Sequence, residues 1–175
     1  MRFEETEIAG VVIVEIEPAS DERGLFARLH CPDEFAAAGH PFDPAQTSLS
    51  RNTAAFTLRG MHYQAPPHAE TKLVRVTRGR AFDVAVDLRP DSPTHRRWVS
   101  VELSADNARA VLIPQGVAHG FLTLEPETDV VYQIAPRYEA GHDRGVRWND
   151  PAFAIAWPAE PKVISPRDAA YADYL

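Results

Sequence analysis

The sequence contains a single cysteine, more acidic than basic residues and no long hydrophobic run. One cysteine excludes an internal disulfide, and by itself it cannot form a thiolate metal site. A net charge of −7 argues against nucleic acid or an anionic membrane as partner, because both attract basic surfaces. The N-terminal segment lacks the basic and apolar pattern of a signal peptide, and no apolar run is long enough to span a bilayer. We therefore expect a cytoplasmic protein that binds neither nucleic acid nor membranes.

Helical periodicity is also nearly absent, whereas prolines and short β-prone runs are frequent. Fifteen prolines in 175 residues favour many short strands joined by turns. A chain of this length has the size of one domain, so we expect residues 1–175 to form a single domain. Regular short strands indicate a sandwich, a jelly roll or a barrel, and a jelly roll combines closed edges with a ligand mouth. We predict a mainly β jelly roll with short peripheral helices.

Eight segments have the composition or alternation of β-strands. They cover residues 10–17, 56–63, 72–78, 80–87, 98–103, 110–113, 120–124 and 129–135. In residues 80–88, an apolar face alternates with a face that carries Asp83 and Asp87. Gly79 is expected in a turn that folds the preceding strand back on the following one. Residues 32–39 predict a short helix that Gly39 closes in the left-handed conformation.

Two fragments concentrate the polar residues of the predicted sheets. Residues 58–72, LRGMHYQAPPHAETK, place an arginine, a histidine, a glutamine and a lysine on neighbouring predicted strands. Residues 113–121, IPQGVAHGF, place His119 after a Pro-x-Gly turn. Groups of this kind in an apolar core are costly without a ligand. Together they predict a polar pocket suited to proton transfer or anion binding.

Single members of this group also have structural interpretations. His62 alone, in an apolar strand, is more typical of a histidine bonded to a backbone carbonyl. Arg59 and His62 are an odd number of residues apart, so a regular strand would point them to opposite faces. A bulge at Gly60 would bring both side chains to the same face, and we adopt this bulge as a hypothesis.

Asp168, Tyr132 and Tyr138 are open to two interpretations in the same way. Residues 165–168, Ser-Pro-Arg-Asp, fit a capping box at the start of a helix, so this pattern alone assigns Asp168 to a cap. Tyr132 and Tyr138 lie on and after a predicted strand, where tyrosine is favoured for packing. The pattern alone would leave both as core residues with solvated hydroxyl groups.

The spacing Pro-x-Gly-x-x-His at residues 114–119 matches the second signature of cupin-type jelly rolls, which aims its histidine into the barrel. The predicted fold is therefore a cupin-like jelly roll, or double-stranded β-helix. Metal-binding cupins also supply His-x-His and a glutamate, whereas this chain has His62-x-Gln64, and the nearest glutamate is Glu70. Because a transition metal normally takes three or more His or carboxylate ligands, we expect no metal site.

Taken in order, these fragments resemble the dTDP-4-dehydrorhamnose 3,5-epimerase family, sugar-nucleotide enzymes with a cupin-like jelly roll. The matching segments are DERGLF (21–26), QTSLS (46–50), LRGMHYQ (58–64), KLVRVTRG (72–79), FDVAVDLRPDSPT (82–94), VELSADN (101–107), IPQGVAHGF (113–121), RGVRWNDPAFAIAWP (144–158) and ISPRD (164–168). The resemblance implies a cofactor-independent isomerase that acts on a nucleotide-diphosphate-linked 4-keto-6-deoxy sugar. Such an enzyme inverts C3, C5 or both by removing a proton next to the C4 ketone, through an enolate.

The resemblance also implies roles for individual residues. His62 matches the catalytic base, Asp168 the carboxylate that orients it, Tyr132 the acid on the opposite face of the sugar, and Lys72 the lysine next to the C4 oxygen. The matches to substrate contacts are Arg23, Arg59 and His119 for the sugar or diphosphate, Gln46 and Phe26 for the nucleotide, and Tyr138 for the sugar site. Family members are usually homodimers that exchange N-terminal strands, so Arg23 and Phe26 are expected in the pocket of the neighbouring subunit.

Two positions depart from the family pattern for thymidine. Members specific for thymidine carry a glutamate where this chain has Arg28 and an asparagine where it has Ser48. The resemblance therefore leaves open which nucleotide carries the sugar. A 3-epimerase or ketoisomerase of the same family also stays open, as does a noncatalytic cupin that only binds a sugar nucleotide. A metal-dependent cupin oxygenase is disfavoured, because the metal ligand set is incomplete.

Overall fold

The computed structural model describes residues 1–174, and the chain is mainly β, as predicted. The strands are β1 (Arg2–Glu5), β2 (Val12–Glu15), β3 (Ala19–Asp21), β4 (Gly24–Phe26), β5 (Gln46–Asn52), β6 (Thr57–Gln64), β7 (Thr71–Arg78), β8 (Arg80–Asp87), β9 (Trp98–Ser104), β10 (Ala110–Ile113), β11 (Val117–Thr123), β12 (Thr128–Ala135), β13 (Asp143–Gly145) and β14 (Val163–Ile164). The helices are α1 (Pro32–Ala37) and α2 (Pro166–Ala169). Neither helix is long and apolar enough to cross a membrane.

Two antiparallel sheets form the body of the fold. The first has the strand order β1-β2-β10-β7-β12-β5, and the second has the order β13-β6-β11-β8-β9. The short strand β14 pairs in parallel with the first half of β6, beside β13 on the second half. Strands β3 and β4 form a separate hairpin that pairs with neither sheet. This arrangement of strands is the predicted jelly roll.

Apolar side chains fill the space between the sheets and cover both outer faces. Val74 and Val130 of the first sheet meet Phe121 of the second in the central cluster. Phe35 on α1 belongs to a second cluster on the outer face of the first sheet, and residues 146–157 cover the outer face of the second. Burial of this apolar area is the main favourable term in folding. Polar groups between the sheets therefore lie next to a largely apolar core.

The eight predicted strands are all present, with ends shifted by three residues at most. The alternation predicted for β8 is confirmed, because Val84 packs in the outer cluster and Ala85 in the central one. Gly79 does form the predicted turn, with φ of +74°. The expected hairpin is wrong, however, since β7 and β8 belong to different sheets and the turn carries the chain from one to the other.

The predicted helix begins at Pro32 and ends at Ala37, and Gly39 follows it with φ of +86°, in the left-handed conformation that the sequence indicated. The strands that were not predicted from the sequence are short or polar. Strand β5 has Leu49 as its only apolar residue and lies at the edge of the first sheet, largely exposed. Its alternation is therefore too weak to predict a strand.

The bulge hypothesis at Gly60 is confirmed. His119 of β11 pairs with His62 of β6, but Phe121 pairs with Arg59, so β6 carries one extra residue between these two pairs. Gly60 has φ of +143°, and a Cβ atom there would lie only 2.5 Å from the Cα atom of Gly120. The extra residue places Arg59 and His62 on the same face of the sheet.

Candidate active site

His62 and Asp168 form a hydrogen-bonded pair at the end of the second sheet. The Nε2 atom of His62 lies 2.7 Å from Oδ1 of Asp168, and the backbone N–H of Gly60 donates to Oδ2 at 3.3 Å. The His62 side chain is 39% exposed, whereas that of Asp168 is buried. Burial raises the pKa of Asp168. The hydrogen bonds from His62 and Gly60 together lower it by more than burial raises it, so the pKa of Asp168 lies below the ordinary value.

Asp168 reaches His62 because α2 is tied to strand β6. Strand β14 pairs with the start of β6, and α2 follows at once. Ser165 caps the helix as predicted, since its hydroxyl accepts a hydrogen bond from the N–H of Asp168 at 3.0 Å. The predicted capping box is only half formed, because the carboxylate of Asp168 is directed to His62 and Gly60. The cap and the pairing with His62 are thus compatible.

Tyr171 supports this pair from the side. Its ring lies edge-on to His62, with ring centroids 6.1 Å apart. Gly145 pairs with His62 across the sheet, and a Cβ atom at Gly145 would lie 2.2 Å from the Tyr171 ring. Only a glycine leaves room for this contact, which restricts the His62 ring on its outer side.

A second histidine–carboxylate pair lies deeper between the sheets. Nε2 of His119 is 2.8 Å from Oδ2 of Asp83, and the two side chains are 3% and 2% exposed. Burial raises the pKa of Asp83, although the neighbouring His119 opposes this change. Because His119 and His62 are register partners, both histidine–carboxylate pairs belong to the same region of the inner face.

Tyr132 faces these groups from the opposite sheet. Its ring packs against the central cluster and lies 5.8 Å from the His119 ring, nearly at right angles. Burial raises the pKa of the Tyr132 phenol well above its ordinary value; the Asp83 carboxylate raises it further, and Arg59 lowers it. The structure thus brings Tyr132 to the inner-face groups of both sheets, although it does not line the two cavities beside His62.

Lys72 lies on strand β7 of the first sheet, and its side chain reaches the backbone of strand β6. Its ammonium group lies 2.9 Å from Oε1 of Glu70 and donates to the backbone carbonyl of His62 at 3.4 Å. Lys72 pairs with Ile134 on β12, two residues from Tyr132, so both side chains lie on the inner face. Among residues 1–174, no three His, Cys, Asp or Glu side chains are grouped so that they could hold a metal ion.

Arg59 and His62 line a cavity of about 400 Å³ together with Arg167 and Asp168. The guanidinium of Arg59 donates through Nε to Oδ1 of Asn52, a buried residue on β5, at 2.8 Å. This hydrogen bond fixes the direction of Arg59 and leaves its terminal nitrogens available to a ligand. A forked cation of this kind suits phosphate oxygens.

Tyr138 and His62 line a smaller cavity of about 200 Å³, and Gln46 is hydrogen-bonded to the backbone of Tyr138. The backbone N–H of Tyr138 donates to Oε1 of Gln46 at 2.9 Å, and its hydroxyl donates to Asp143 at 3.1 Å. Asp143 in turn forms an ion pair with Arg167, next to Asp168. The predicted sugar-site aromatic is therefore connected to the helix that carries Asp168.

The structure does not bring Arg23 and Phe26 to this site. Both lie on the exposed β3–β4 hairpin, where the Arg23 side chain is 86% exposed and pairs with Asp21, and Phe26 is 81% exposed. Of the two departures from the thymidine pattern, Arg28 is exposed and paired with Glu34, and Ser48 lies opposite Tyr132 on strand β5.

Several residues at the site were not predicted from the sequence. They are Asp83, which pairs with His119; Asn52, which orients Arg59; Glu70, which pairs with Lys72; Asp143 and Arg167, which connect Tyr138 to α2; and Tyr171, which packs on His62. Only Asp83 gave a signal, as a carboxylate in a strongly alternating strand. Glu70 and Asn52 lie near their partners in the sequence but follow no known short motif, and the contacts of Arg167 and Tyr171 join segments that are distant in sequence.

Comparison with known proteins gives matches over nearly the whole chain. The sequence profile of the dTDP-4-dehydrorhamnose 3,5-epimerase family matches residues 5–174. A dTDP-4-dehydrorhamnose 3,5-epimerase from Sinorhizobium fredii is 41% identical over 170 residues, which cover 97% of this chain and 87% of the relative.

Two solved structures are similar over nearly the whole chain. The dTDP-4-dehydrorhamnose 3,5-epimerase from Bacillus anthracis, with TDP and PPi bound, gives a TM-score of 0.96 at 39% identity and covers 99% of both chains. ChmJ, a 3'-monoepimerase from Streptomyces bikiniensis in complex with dTDP-quinovose, gives 0.90 at 31% identity, covering 97% of this chain and 86% of ChmJ. This chain belongs to the dTDP-4-dehydrorhamnose 3,5-epimerase family.

Proposed function

We propose that this protein is an isomerase that epimerises a nucleotide-diphosphate-linked 4-keto-6-deoxy sugar at C3, C5 or both. The observation that carries the proposal is the hydrogen-bonded pair of His62 and Asp168 beside a cavity, with Tyr132 facing the same region from the opposite sheet. Residues 1–175 would act as one domain. The proposed chemistry uses side chains alone.

In this proposal His62 is the base. A proton on the carbon next to a ketone can be removed because the resulting charge spreads onto the carbonyl oxygen as an enolate. The Nε2 atom of His62 is bonded to Asp168, so Nδ1 is the nitrogen left to accept the proton. Asp168 holds the ring in one orientation and stabilises the imidazolium that forms.

Lys72 is the proposed partner of the enolate oxygen. Its ammonium group is largely buried, and it lies on the inner face near both His62 and Tyr132. A fixed positive charge aimed at a developing oxyanion is often the largest single term in lowering a barrier. Lys72 would therefore contribute mainly to the rate of proton removal.

Tyr132 is the proposed acid that returns a proton to the other side of the enolate carbon. Inversion requires donation from the face opposite the base, and Tyr132 lies on the opposite sheet from His62. Because burial raises its pKa, the phenol keeps its proton throughout the neutral range and can act as a donor.

Arg59 and His119 are the proposed contacts for the sugar or diphosphate within one chain, with Gln46 for the nucleotide and Tyr138 for the sugar site. Arg23 and Phe26 would complete the nucleotide site of a neighbouring subunit, in a homodimer that exchanges N-terminal strands. The exposed hairpin supports this arrangement. Phe26 is 81% exposed, and its hairpin pairs with neither of the two main sheets of the chain. Sedimentation as a monomer at micromolar concentration would contradict it.

Solvent deuterium incorporation tests the reaction. The protein would be incubated in D₂O with dTDP-4-keto-6-deoxyglucose, and the sugar followed by NMR. Label at both C3 and C5 is expected; label at C3 alone would identify a 3-epimerase, as ChmJ is named, and a migrated carbonyl would identify a ketoisomerase. No exchange, with nucleotide binding retained, would overturn the proposal in favour of a binding protein. The same assay with UDP- and GDP-linked sugars tests the nucleotide.

A further inference from the structure

Gln64 and Glu70 lie at the two positions that were compared above with a cupin metal motif, and the proposed chemistry gives neither a role. A chain of hydrogen bonds joins them. The backbone N–H of Glu139 donates to Oε1 of Gln64 at 3.2 Å, and Nε2 of Gln64 donates to Oε2 of Glu70 at 3.0 Å. The other carboxylate oxygen of Glu70 lies 2.9 Å from the ammonium nitrogen of Lys72. The chain thus runs from the backbone beside Tyr138 to Lys72.

All three side chains are buried. Gln64 is 2% exposed, and the Glu70 and Lys72 side chains are 8% and 10% exposed. A buried carboxylate must be paired and hydrogen-bonded to be tolerated, and here each oxygen of Glu70 has its own donor. The chain also has a fixed direction, because Glu70 can only accept and Lys72 can only donate.

The geometry fixes the orientation of the ammonium group. Lys72 has three N–H donors. Glu70 accepts from one of them, and the backbone carbonyl of His62 accepts from a second. The third donor has no partner among residues 1–174, and it lies on the inner face, where the proposed reaction develops charge on the sugar C4 oxygen.

We propose that Glu70 is a positioning residue that aims Lys72 at the enolate oxygen, with Gln64 holding Glu70 in place. This inference rests on the proposed function, since it assigns Glu70 to the same site. A carboxylate is needed because a neutral amide at this position would have a single oxygen. Its nitrogen would face the donor nitrogen of Gln64.

The test compares Glu70→Ala with a matched control, Glu102→Ala. Glu102 lies on strand β9, and its exposed carboxylate pairs with Arg80. Glu70→Ala is expected to lower kcat for deuterium exchange by about 10- to 100-fold, because a misplaced catalytic group loses rate on this scale. KM should change by less than about threefold, since the nucleotide contacts are elsewhere. The Glu102→Ala variant should match the wild type.

The decisive measurement repeats the substitution in a Lys72→Met background. If Glu70 acts through Lys72, Glu70→Ala causes no further loss of kcat there. An equal loss in both backgrounds, or a rise in KM at unchanged kcat, would overturn the proposal. Glu70→Gln provides the conservative variant: it keeps the volume and one acceptor, so an intermediate kcat is expected. It also carries the test if Glu70→Ala does not fold.

The wild-type protein distinguishes failure of the proposed function from failure of the role of Glu70. No exchange by the wild type with any of the sugar nucleotides would overturn the proposed function, and the role of Glu70 with it. Exchange by the wild type with Glu70 variants as active as Glu102→Ala would overturn the role of Glu70 alone.

Discussion

The two histidine–carboxylate pairs of this protein have nearly the same geometry and very different surroundings. The distance between nitrogen and oxygen is 2.7 Å for His62 and Asp168 and 2.8 Å for His119 and Asp83. His62 is 39% exposed beside a cavity, whereas His119 is 3% exposed between the sheets. The two histidines are register partners on adjacent strands. Access is therefore the main difference between them.

The carboxylates differ as well. Asp168 accepts hydrogen bonds from His62 and from the backbone of Gly60, and its pKa is lowered. Asp83 is bonded by His119 in a deeper position, and burial raises its pKa. An accessible imidazole with an ionised partner suits proton transfer, whereas a buried pair suits structure and ligand contact. Depth and hydrogen bonding thus suit the same two residue types to different roles.

The largest expected effect separates the two histidines. Replacing His62 with asparagine should reduce deuterium exchange at C3 and C5 by about 10³-fold, because the proposed general base is lost. Replacing His119 with asparagine should leave most exchange at saturating substrate and act mainly on KM. Nucleotide binding by calorimetry should be unchanged in the His62 variant. Equal losses of kcat in both variants would remove the distinction between the pairs.

A smaller effect is expected at Tyr132, which lies on the opposite sheet from His62. Replacing Tyr132 with phenylalanine should lower inversion by about 10²-fold, since the donor hydroxyl is removed. Proton removal should survive better than inversion, so label should appear in recovered substrate of unchanged configuration. The control is Tyr174→Phe, in the outer cluster of the second sheet. Parallel losses of exchange and inversion would assign Tyr132 to a different step.

The effects of substituting the two carboxylates should separate in the same way: Asp168 should affect kcat, and Asp83 should affect stability. Asp168→Asn is expected to lower kcat by about 10- to 100-fold, because the partner that orients the base is altered. Asp83→Asn should change kcat by less than about threefold. It should instead lower the free energy of unfolding by about 1–3 kcal/mol, because the buried pair with His119 is broken. Kinetics and urea unfolding of both variants check this reversal.

The sequence predicted the strands that have strong alternation and missed those that do not. In strand β8 an apolar face alternates with a face of alanines and aspartates, so its position was clear from the sequence. Strand β5 has Leu49 as its only apolar residue, and Leu49 is exposed, so the pairing of β5 with β12 is what makes it a strand. The wrong hairpin at Gly79 has a similar cause, because a turn residue does not indicate which sheet the next strand joins.

The site shows the same limit. The pattern around Asp168 predicted a helix cap, and the Ser165 cap is present. Nothing local in the pattern indicates that the carboxylate is directed to His62, 106 residues away, because this depends on β14 docking beside β6. Asp83 and His119 likewise meet because β8 and β11 are neighbours, although β9 and β10 lie between them in the chain. The roles themselves came from the resemblance to the family and stay predictions.

The smallest expected effect is a difference of sign in the pH dependence of stability. The pKa of Asp168 is lower in the folded chain than the ordinary value of 3.8, so Asp168 stabilises the fold above that pH. This stabilisation is lost as the pH falls below 3.8 through the folded pKa. The pKa of Asp83 is raised above 3.8, so its ionisation opposes folding as the pH rises above 3.8.

Acidification should therefore change the two variants in opposite directions relative to the wild type. The wild type should gain stability against Asp83→Asn as the pH falls toward 3.8, and should lose stability against Asp168→Asn as it falls below 3.8. Each unit of difference in pKa contributes about 1.4 kcal/mol, so urea unfolding at several pH values resolves the effect. If the stability difference between wild type and variant changed in the same direction with pH for both variants, the two carboxylates would be electrostatically alike. Depth would then not explain why only one pair suits proton transfer.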